Sequence, residues 1–354
     1  MENQTESTNK RTFGGSLPVE NVQQLFSKNS KQVPTRYLRP ELTTDNIWSK
    51  TSLQVPIIDM SKLSTDKEST HLHIACKDWG FFQLINHGIS QSIDEMKSSS
   101  KDFFNLPLEN KLLSGQIPGS IEGYGQAFVL SEDQKLDWGD MLFLISLPEK
   151  IRKMRFWPEN LRDAIERYSG EVSGIAMRLI EKMGENLGVD LMGLFEDGVQ
   201  GIRINYYPPC IEAERVVGLT SHSDATALTL LSQVNDVEGL QIMKDGKWLP
   251  VCPIDGAIIV NIGDIFEIMS NGEYKSIEHR VMVNPEKERL SIAAFNGPNM
   301  KCTIRPFPEL TKENGTKYKT LSYDDFTRLV VNRKLNGKSL LDQIRIEKQN
   351  EQNT

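Results

Sequence analysis

Apolar residues change their spacing near Asp197. Before it, the clearest pattern runs from Leu161 to Leu187, where Ile165, Tyr168, Val172, Ile175, Leu179, Met183 and Leu187 recur at intervals of three and four. That spacing draws one apolar stripe along a helix and predicts a packing role for it. Shorter elements precede it. Val55–Leu63 reads as a buried strand followed by a turn, and Gly80–Gly88 as a second strand ended by the His87-Gly88 turn. Asn21–Ser27, Ser69–Asp78 and Ser90–Phe104 read as helices, the last stopped before Pro107. The Gly- and aromatic-rich stretch Gly123–Phe128 suits either a bend past a ligand or an ordinary bulge.

After Asp197 short apolar segments alternate with turns: "GIRINYYPPC", "VVGLTSHSD", "ALTLLSQV", "GLQIMKDGKWLPV", "AIIVNIGDIFEIMSNG", "IEHRVMVN" and "RLSIAAFNGP". This rhythm predicts an antiparallel sandwich or jelly roll, with a tight hairpin at Lys244-Asp245-Gly246-Lys247. "YDDFTRLVVNRKL" reads as a terminal helix with its own apolar face. The expected organisation is a mostly β core with flanking helices. Residues 1–50 form a partly disordered extension, 51–160 an N-terminal region, 161–197 the long helix and a linker, 198–310 the core, and 311–354 a C-terminal helix and tail. No internal repeat is visible.

Composition narrows the classes. The 354 residues carry a net charge of -7 and are 38% hydrophobic, enough for a substantial core. The acidic balance argues against nucleic acid or an anionic membrane surface as partner. No apolar run approaches the ~18 residues of a membrane span. The polar start, MENQTESTNKRTFGG, has no secretory apolar region, and EKQNEQNT matches no retention or peroxisomal address. The expectation is therefore a cytoplasmic protein, and a monomer. Cys76, Cys210, Cys252 and Cys302 form no CxxC pair. They are expected to be reduced and mostly buried, which makes a structural zinc site unlikely on spacing.

Candidate chemistry begins at Ser221-His222-Ser223-Asp224. In a strand, His222 and Asp224 share a face, with Ser223 pointing away or sitting in a local turn. Of the five histidines, His71 and His73 fall in a surface-type helix and His87 precedes a turn glycine. His279, in "SIEHRVMV", is the one inside a strand-like segment. His222, Asp224 and His279 would together make a two-histidine, one-carboxylate triad, which leaves three octahedral positions open and favours non-haem Fe(II). A hydrolytic zinc site with the same ligands fits the spacing too. Downstream, Arg289, Ser291, Ala293 and Phe295 share one strand face. An inward arginine there needs an anionic partner, and a guanidinium plus a hydroxyl suits a carboxylate. In "IRINYYP", Arg203, Asn205 and Tyr207 share one face, opposite Ile202, Ile204 and Tyr206. If inward, Asn205 and Tyr207 supply hydrogen bonds to a small dicarboxylate, and Arg203 reaches toward a substrate.

From about Val55 to Ile346 the chain resembles the plant 2-oxoglutarate- and Fe(II)-dependent dioxygenases. "VPIIDMSKL" and "ACKDWGFFQLINHGI" resemble that family's N-terminal region. "NYYPPC", "GLTSHSDATALTLL", "VEGLQI", "VNIGDIFEIMSNGEYKSIEHRVMVN" and "ERLSIAAF" resemble its catalytic core. The resemblance implies a distorted double-stranded β-helix (jelly roll) supported by the long helix. It implies that His222, Asp224 and His279 ligate iron, that Arg289 and Ser291 bind the distal carboxylate of 2-oxoglutarate, and that Tyr207 and Asn205 help hold this cosubstrate. O2 would be consumed, with ascorbate as a supporting reductant.

"QAFVLSEDQKLDWGDMLFL" and "GKSLLDQIRI" resemble the branch with senescence-related-gene-like proteins and benzylisoquinoline alkaloid O-demethylases acting on thebaine and codeine. That implies a small-molecule substrate among plant specialised metabolites such as alkaloids, flavonoids or terpenoids. Strand faces and the resemblance together nominate Tyr124, Phe128, Met141, Phe143, Arg203, Ser223 and Phe295 as substrate contacts. Asn296-Gly297 departs from the bulkier or charged pair of the alkaloid demethylases, which widens the expected pocket mouth. Two rivals remain: a non-catalytic ligand-binding protein on the same fold, and a non-oxidative cyclase or lyase.

Overall fold

The computed structural model describes residues 16–28, 32–48, 53–126, 129–313 and 315–346. Twelve strands build its centre: β1 (Ile57–Asp59), β2 (Phe81–Ile85), β3 (Gly123–Gly125), β4 (Asp140–Leu147), β5 (Val199–Tyr207), β6 (Val217–His222), β7 (Leu228–Gln233), β8 (Leu240–Lys244), β9 (Lys247–Pro250), β10 (Ile258–Ile262), β11 (His279–Met282) and β12 (Arg289–Gly297). They form an eight-stranded sheet in the order β1-β2-β10-β7-β12-β5-β4-β3 and a four-stranded sheet in the order β6-β11-β8-β9. Strands from the N-terminal region therefore extend the same sheet as strands from the core. The double-stranded β-helix is the expected architecture.

Alternation sorts the large sheet into two faces. Leu142, Ile204, Ile292, Ser232 and Ile258 pair in one cross-strand row, and Leu144, Ile202, Ala294, Leu230 and Val260 in another. Both rows pack on the helix Arg162–Leu187, whose Ile165, Tyr168, Val172, Ile175, Leu179 and Met183 are buried; Leu187 is only partly covered. Tyr168 Oη and Ser232 Oγ meet at 3.1 Å, so the one hydroxyl placed in that apolar row has a partner. Each fully buried Ile or Leu here contributes about 1.5–3 kcal/mol. The opposite face looks toward the small sheet and carries the polar residues.

Several boundaries differ from expectation. The first strand is only Ile57–Asp59, because the Asp59 carboxylate accepts from Ser61 N and turns the chain. The next helix begins earlier, at Asp66, where Thr65 caps it through Glu68 N; past Ile74 it loosens into a π turn, Ala75–Trp79, that ends at Gly80. A Cβ at Gly80 would lie 2.0 Å from the Lys275 carbonyl oxygen, so only glycine lets the chain pass there. "AIIVNIGDIFEIMSNG" is not all strand: Asp264–Met269 is a helix, buried on every side and so without a readable period. The hairpin is as expected, with Asp245 and Gly246 at φ 50° and 73°. Cys76 and Cys210 are buried, but Cys252 is exposed and Cys302 half-buried, so the cysteines are less covered than expected. The expected disordered N-terminal stretch and Phe128 lie outside the described residues.

Candidate metal centre and active site

Both histidines come from the small sheet. His222 ends β6, His279 begins β11, and the two pair across the strands. Asp224 lies two residues beyond the end of β6, in irregular chain before the bend at 225–227. Its convergence with His222 therefore comes from that irregular segment and not from strand alternation. Ser223 is in the same segment, and its hydroxyl donates to Asp264 Oδ2 at 3.1 Å.

The three side chains are buried and offer ligand atoms within 4.8 Å of one another; no other such group occurs among the described residues. His222 Nε2 and His279 Nε2 lie 3.4 and 3.6 Å from Asp224 Oδ1. Each Nδ1 meets a backbone carbonyl: His222 with Thr220 O at 2.7 Å and His279 with Ile277 O at 3.0 Å. A carbonyl can only accept, so each Nδ1 carries the proton and each Nε2 lone pair faces inward. The other Asp224 oxygen, Oδ2, accepts from Thr229 Oγ1 at 2.6 Å and Asn261 Nδ2 at 2.8 Å. Burial pushes the His279 imidazole down to about 4, against the pull of Asp224, so it is neutral near pH 7. Burial works against ionisation of Asp224, but its polar contacts, the Asn261 amide among them, outweigh it and hold the carboxyl below its usual range. Two inward lone pairs and one carboxylate oxygen, with both rings oriented from behind, form a donor set that fits a divalent metal.

A second constellation lies on the large sheet. Arg289 pairs with Tyr207 across β12 and β5, and Ser291 with Asn205; Met141 follows Asn205 on β4, and Phe143 follows Arg203. Arg289 is 1% exposed. Its Nη2 donates to Gln233 Oε1 at 3.0 Å and its Nη1 to Ser291 Oγ at 3.4 Å, while Nε has no partner. Its guanidinium carbon stands 5.6 Å from the Tyr207 ring centre. Burial lowers its pKa and Tyr207 opposes that, and no acid among the described residues compensates the charge. Asn205 Oδ1 is likewise buried without a partner. A buried cation beside the Ser291 hydroxyl on one wall forms a receptor for an anion, while the open Asn205 Oδ1 is an acceptor that waits for a donor.

The histidines, Asp224, Arg289, Ser291, Asn205, Tyr207 and Arg203 all line one small chamber. A larger cavity of about 300 Å³ shares Arg203, His222, Asp224 and Phe295 with it, so the metal group stands where the two meet. Met141, Phe143, Ser223 and Phe295 line this cavity as nominated. Tyr124 does not. It is buried against Phe103 and Phe104, and its hydroxyl accepts from Asn21, so it is a core residue and its nomination is withdrawn. Sequence reasoning overlooked the far wall, which Tyr323, Phe326, Val330, Leu335 and Leu340 supply from the C-terminal segment. It also overlooked Thr229, Asn261 and Gln233, although a polar residue in the apolar strand IIVNI is a visible signal.

The comparisons agree with this geometry. Residues 198–298 match the 2OG-Fe(II) oxygenase superfamily, and residues 55–160 match the N-terminal region described as non-haem dioxygenase in morphine synthesis. S-norcoclaurine synthase 1 of Coptis japonica is 51% identical over 96% of this chain and 100% of its own length. Codeine O-demethylase of Papaver somniferum is 42% identical over 94% of this chain and 98% of its own. Among solved structures, JOX2 in complex with 2OG, Fe and JA superposes with a TM-score of 0.86 at 34% identity, covering 94% of this chain and 99% of JOX2. The chain belongs to the 2OG-Fe(II) oxygenase superfamily and is a 2-oxoglutarate- and Fe(II)-dependent dioxygenase.

Proposed function

We propose that this enzyme oxidises a largely apolar plant specialised metabolite, such as an alkaloid, flavonoid or terpenoid, in the cavity beside the His222, Asp224 and His279 group. These three side chains would hold the iron, and Arg289 with Ser291 would take the distal carboxylate of 2-oxoglutarate, helped by Tyr207 and Asn205. The observation that carries the reading is the buried, acid-free Arg289 facing the chamber that also holds the metal group. Bound iron with 2-oxoglutarate and O2 supplies the oxidising chemistry: the 2-oxo acid leaves as succinate and CO2, and one oxygen atom is available to the substrate.

The chain's own part is placement. Gln233 and Ser291 fix the guanidinium, Thr229 and Asn261 orient Asp224, and the carbonyls of Thr220 and Ile277 hold the two rings. Phe143 and Phe295, with ring centres 6.5 Å apart, give the substrate side an aromatic floor. The C-terminal residues supply the opposite, largely apolar wall. A cavity of about 300 Å³ is at the small end of the range for ligand sites and suits one compact, flat or polycyclic molecule.

Insertion of oxygen gives an alcohol. On a methoxy group the same insertion gives a hemiacetal that releases formaldehyde, which is O-demethylation. Relatives with names of demethylases support including methoxylated compounds among candidates. The test is a panel of methoxylated alkaloids, flavonoids, coumarins and terpenoids with Fe(II), 2-oxoglutarate, ascorbate and O2, reading succinate and product mass together. Substrate-stimulated succinate with a mass change of one oxygen, one methylene or two hydrogens is expected. A product formed equally well without O2 or 2-oxoglutarate would replace this reading with a non-oxidative one.

A further inference from the structure

Tyr207 and Arg289 face each other across β5 and β12. Two glycines come closer to Tyr207 than a side chain allows, and a third stands tight against Arg289. A Cβ at Gly218, in β6, would lie 2.7 Å from Tyr207 Cδ1 and 3.0 Å from Cε1. One at Gly139, just before β4, would lie 2.8 and 3.1 Å from the same two atoms. One at Gly239, just before β8, would lie 3.0 Å from Arg289 Cδ and 2.6 Å from the Met282 carbonyl oxygen. None of the three has a positive φ, so conformational freedom does not explain the choice of glycine. Room does.

The backbones cannot simply retreat. Trp138 N donates to Val217 O at 2.8 Å, which ties the strand edge at Gly139 to the one at Gly218. Met282 N donates to Gly239 O at 2.8 Å, which fixes Gly239 against β11. A methyl group at 218 or 139 must therefore displace the tyrosine ring, and one at 239 meets the Met282 carbonyl first and crowds the arginine stem.

We infer that Gly139, Gly218 and Gly239 are positioning residues for the cosubstrate: they set the Tyr207 ring and the Arg289 guanidinium where the distal carboxylate of 2-oxoglutarate is received. This rests on the proposed role of Arg289. The spacing of the wall is set by absent side chains on one side and by the Gln233 amide on the other. Binding then requires little rearrangement of the cation.

The experiment uses the full chain loaded with Mn(II) under anaerobic conditions and titrates two ligands by calorimetry. One is 2-oxoglutarate. The other is 2-oxopentanoate, which has the same chelating end and carbon chain but no distal carboxylate. The wild-type protein is expected to favour 2-oxoglutarate at least a hundredfold. Gly218→Ala is expected to weaken 2-oxoglutarate at least tenfold while leaving 2-oxopentanoate within twofold. Gly139→Ala, whose Cβ meets the same ring edge, should behave alike and stands in if Gly218→Ala fails to fold. In a Tyr207→Ala background, where the displaced ring is gone, Gly218→Ala should cost nothing further. Equal loss for both ligands, no loss for 2-oxoglutarate, or full additivity with Tyr207→Ala overturns the inference. A wild-type protein that does not discriminate the two ligands overturns instead the role of Arg289 on which it rests.

Discussion

Asp224 divides its two oxygens between two tasks: Oδ2 is held by Thr229 and Asn261, and Oδ1 faces the two histidine nitrogens. His279 is held in turn by the Ile277 carbonyl and by the Phe81 ring, 5.3 Å away edge-on. Its substitution by Ala should remove one inward donor without opening the apolar core behind the large sheet. His279→Ala is expected to lower succinate formation at least about a hundredfold while circular dichroism and the unfolding midpoint stay near wild type. Wild-type turnover in this variant would mean that the metal is held elsewhere. At this scale the sequence was informative about identities and less so about geometry. Alternation put Arg289 with Ser291, and Asn205 with Tyr207, on shared faces, but which face is inward came only with the fold. Asp224 was expected on the strand face of His222, and it lies instead in the irregular chain past the end of β6. Tyr124 looked like a cavity aromatic because its glycine neighbours hide how deeply the Phe103 and Phe104 rings cover it.

Among the elements, the helix Asp264–Met269 ties the core to the C-terminal segment. Its Glu267 is buried and accepts from Tyr318 Oη at 2.7 Å and Ser276 N at 2.7 Å, and pairs with Lys338 at 2.8 Å and Arg345 at 3.0 Å. Both cations belong to the C-terminal segment that walls the larger cavity. Glu267→Gln keeps an acceptor and removes the charge. It is expected to cost about 1–3 kcal/mol, the partial exposure of Lys338 and Arg345 reducing what a fully buried pair would lose. Limited proteolysis should then cut within 332–346 faster than in wild type; an unchanged cleavage rate would show that this segment is held by its apolar contacts alone. The long helix was legible in the sequence because it is amphipathic. This short one was not, since a fully buried helix and a buried strand share the same unbroken apolar run.

For the whole molecule, the N-terminal extension is joined to the core through an ionisable group. Asp140, at the start of β4, accepts from Val22 N at 3.0 Å and Gln23 N at 2.9 Å, and so holds the first turn of the helix Val22–Ser27. Burial raises its pKa from 3.8 to about 6 despite those bonds. Between these values the folded state keeps a proton that the unfolded chain has released, so this group's contribution to stability falls as pH rises from about 4 to about 6. Asp140→Asn should therefore make the slope of unfolding free energy against pH more positive, by up to about 1.4 kcal/mol per pH unit in that window. Urea titrations across pH 4–7 would measure it, and an unchanged slope would contradict the assignment. The sheet order itself was not readable from the chain. Neighbours such as β2 and β10 are far apart in sequence, and periodicity reports faces but not partners.

On the proposed assignment, one junction would hold the iron, the distal carboxylate of 2-oxoglutarate and the mouth of the larger cavity. Crystals grown anaerobically with Fe(II) and 2-oxoglutarate, with anomalous data collected at the iron edge, show this in a single experiment. A single strong peak is expected between His222 Nε2, Asp224 Oδ1 and His279 Nε2, with the distal carboxylate of 2-oxoglutarate on Arg289 and Ser291. A peak away from those three atoms, or a distal carboxylate directed into the larger cavity, would overturn the assignment.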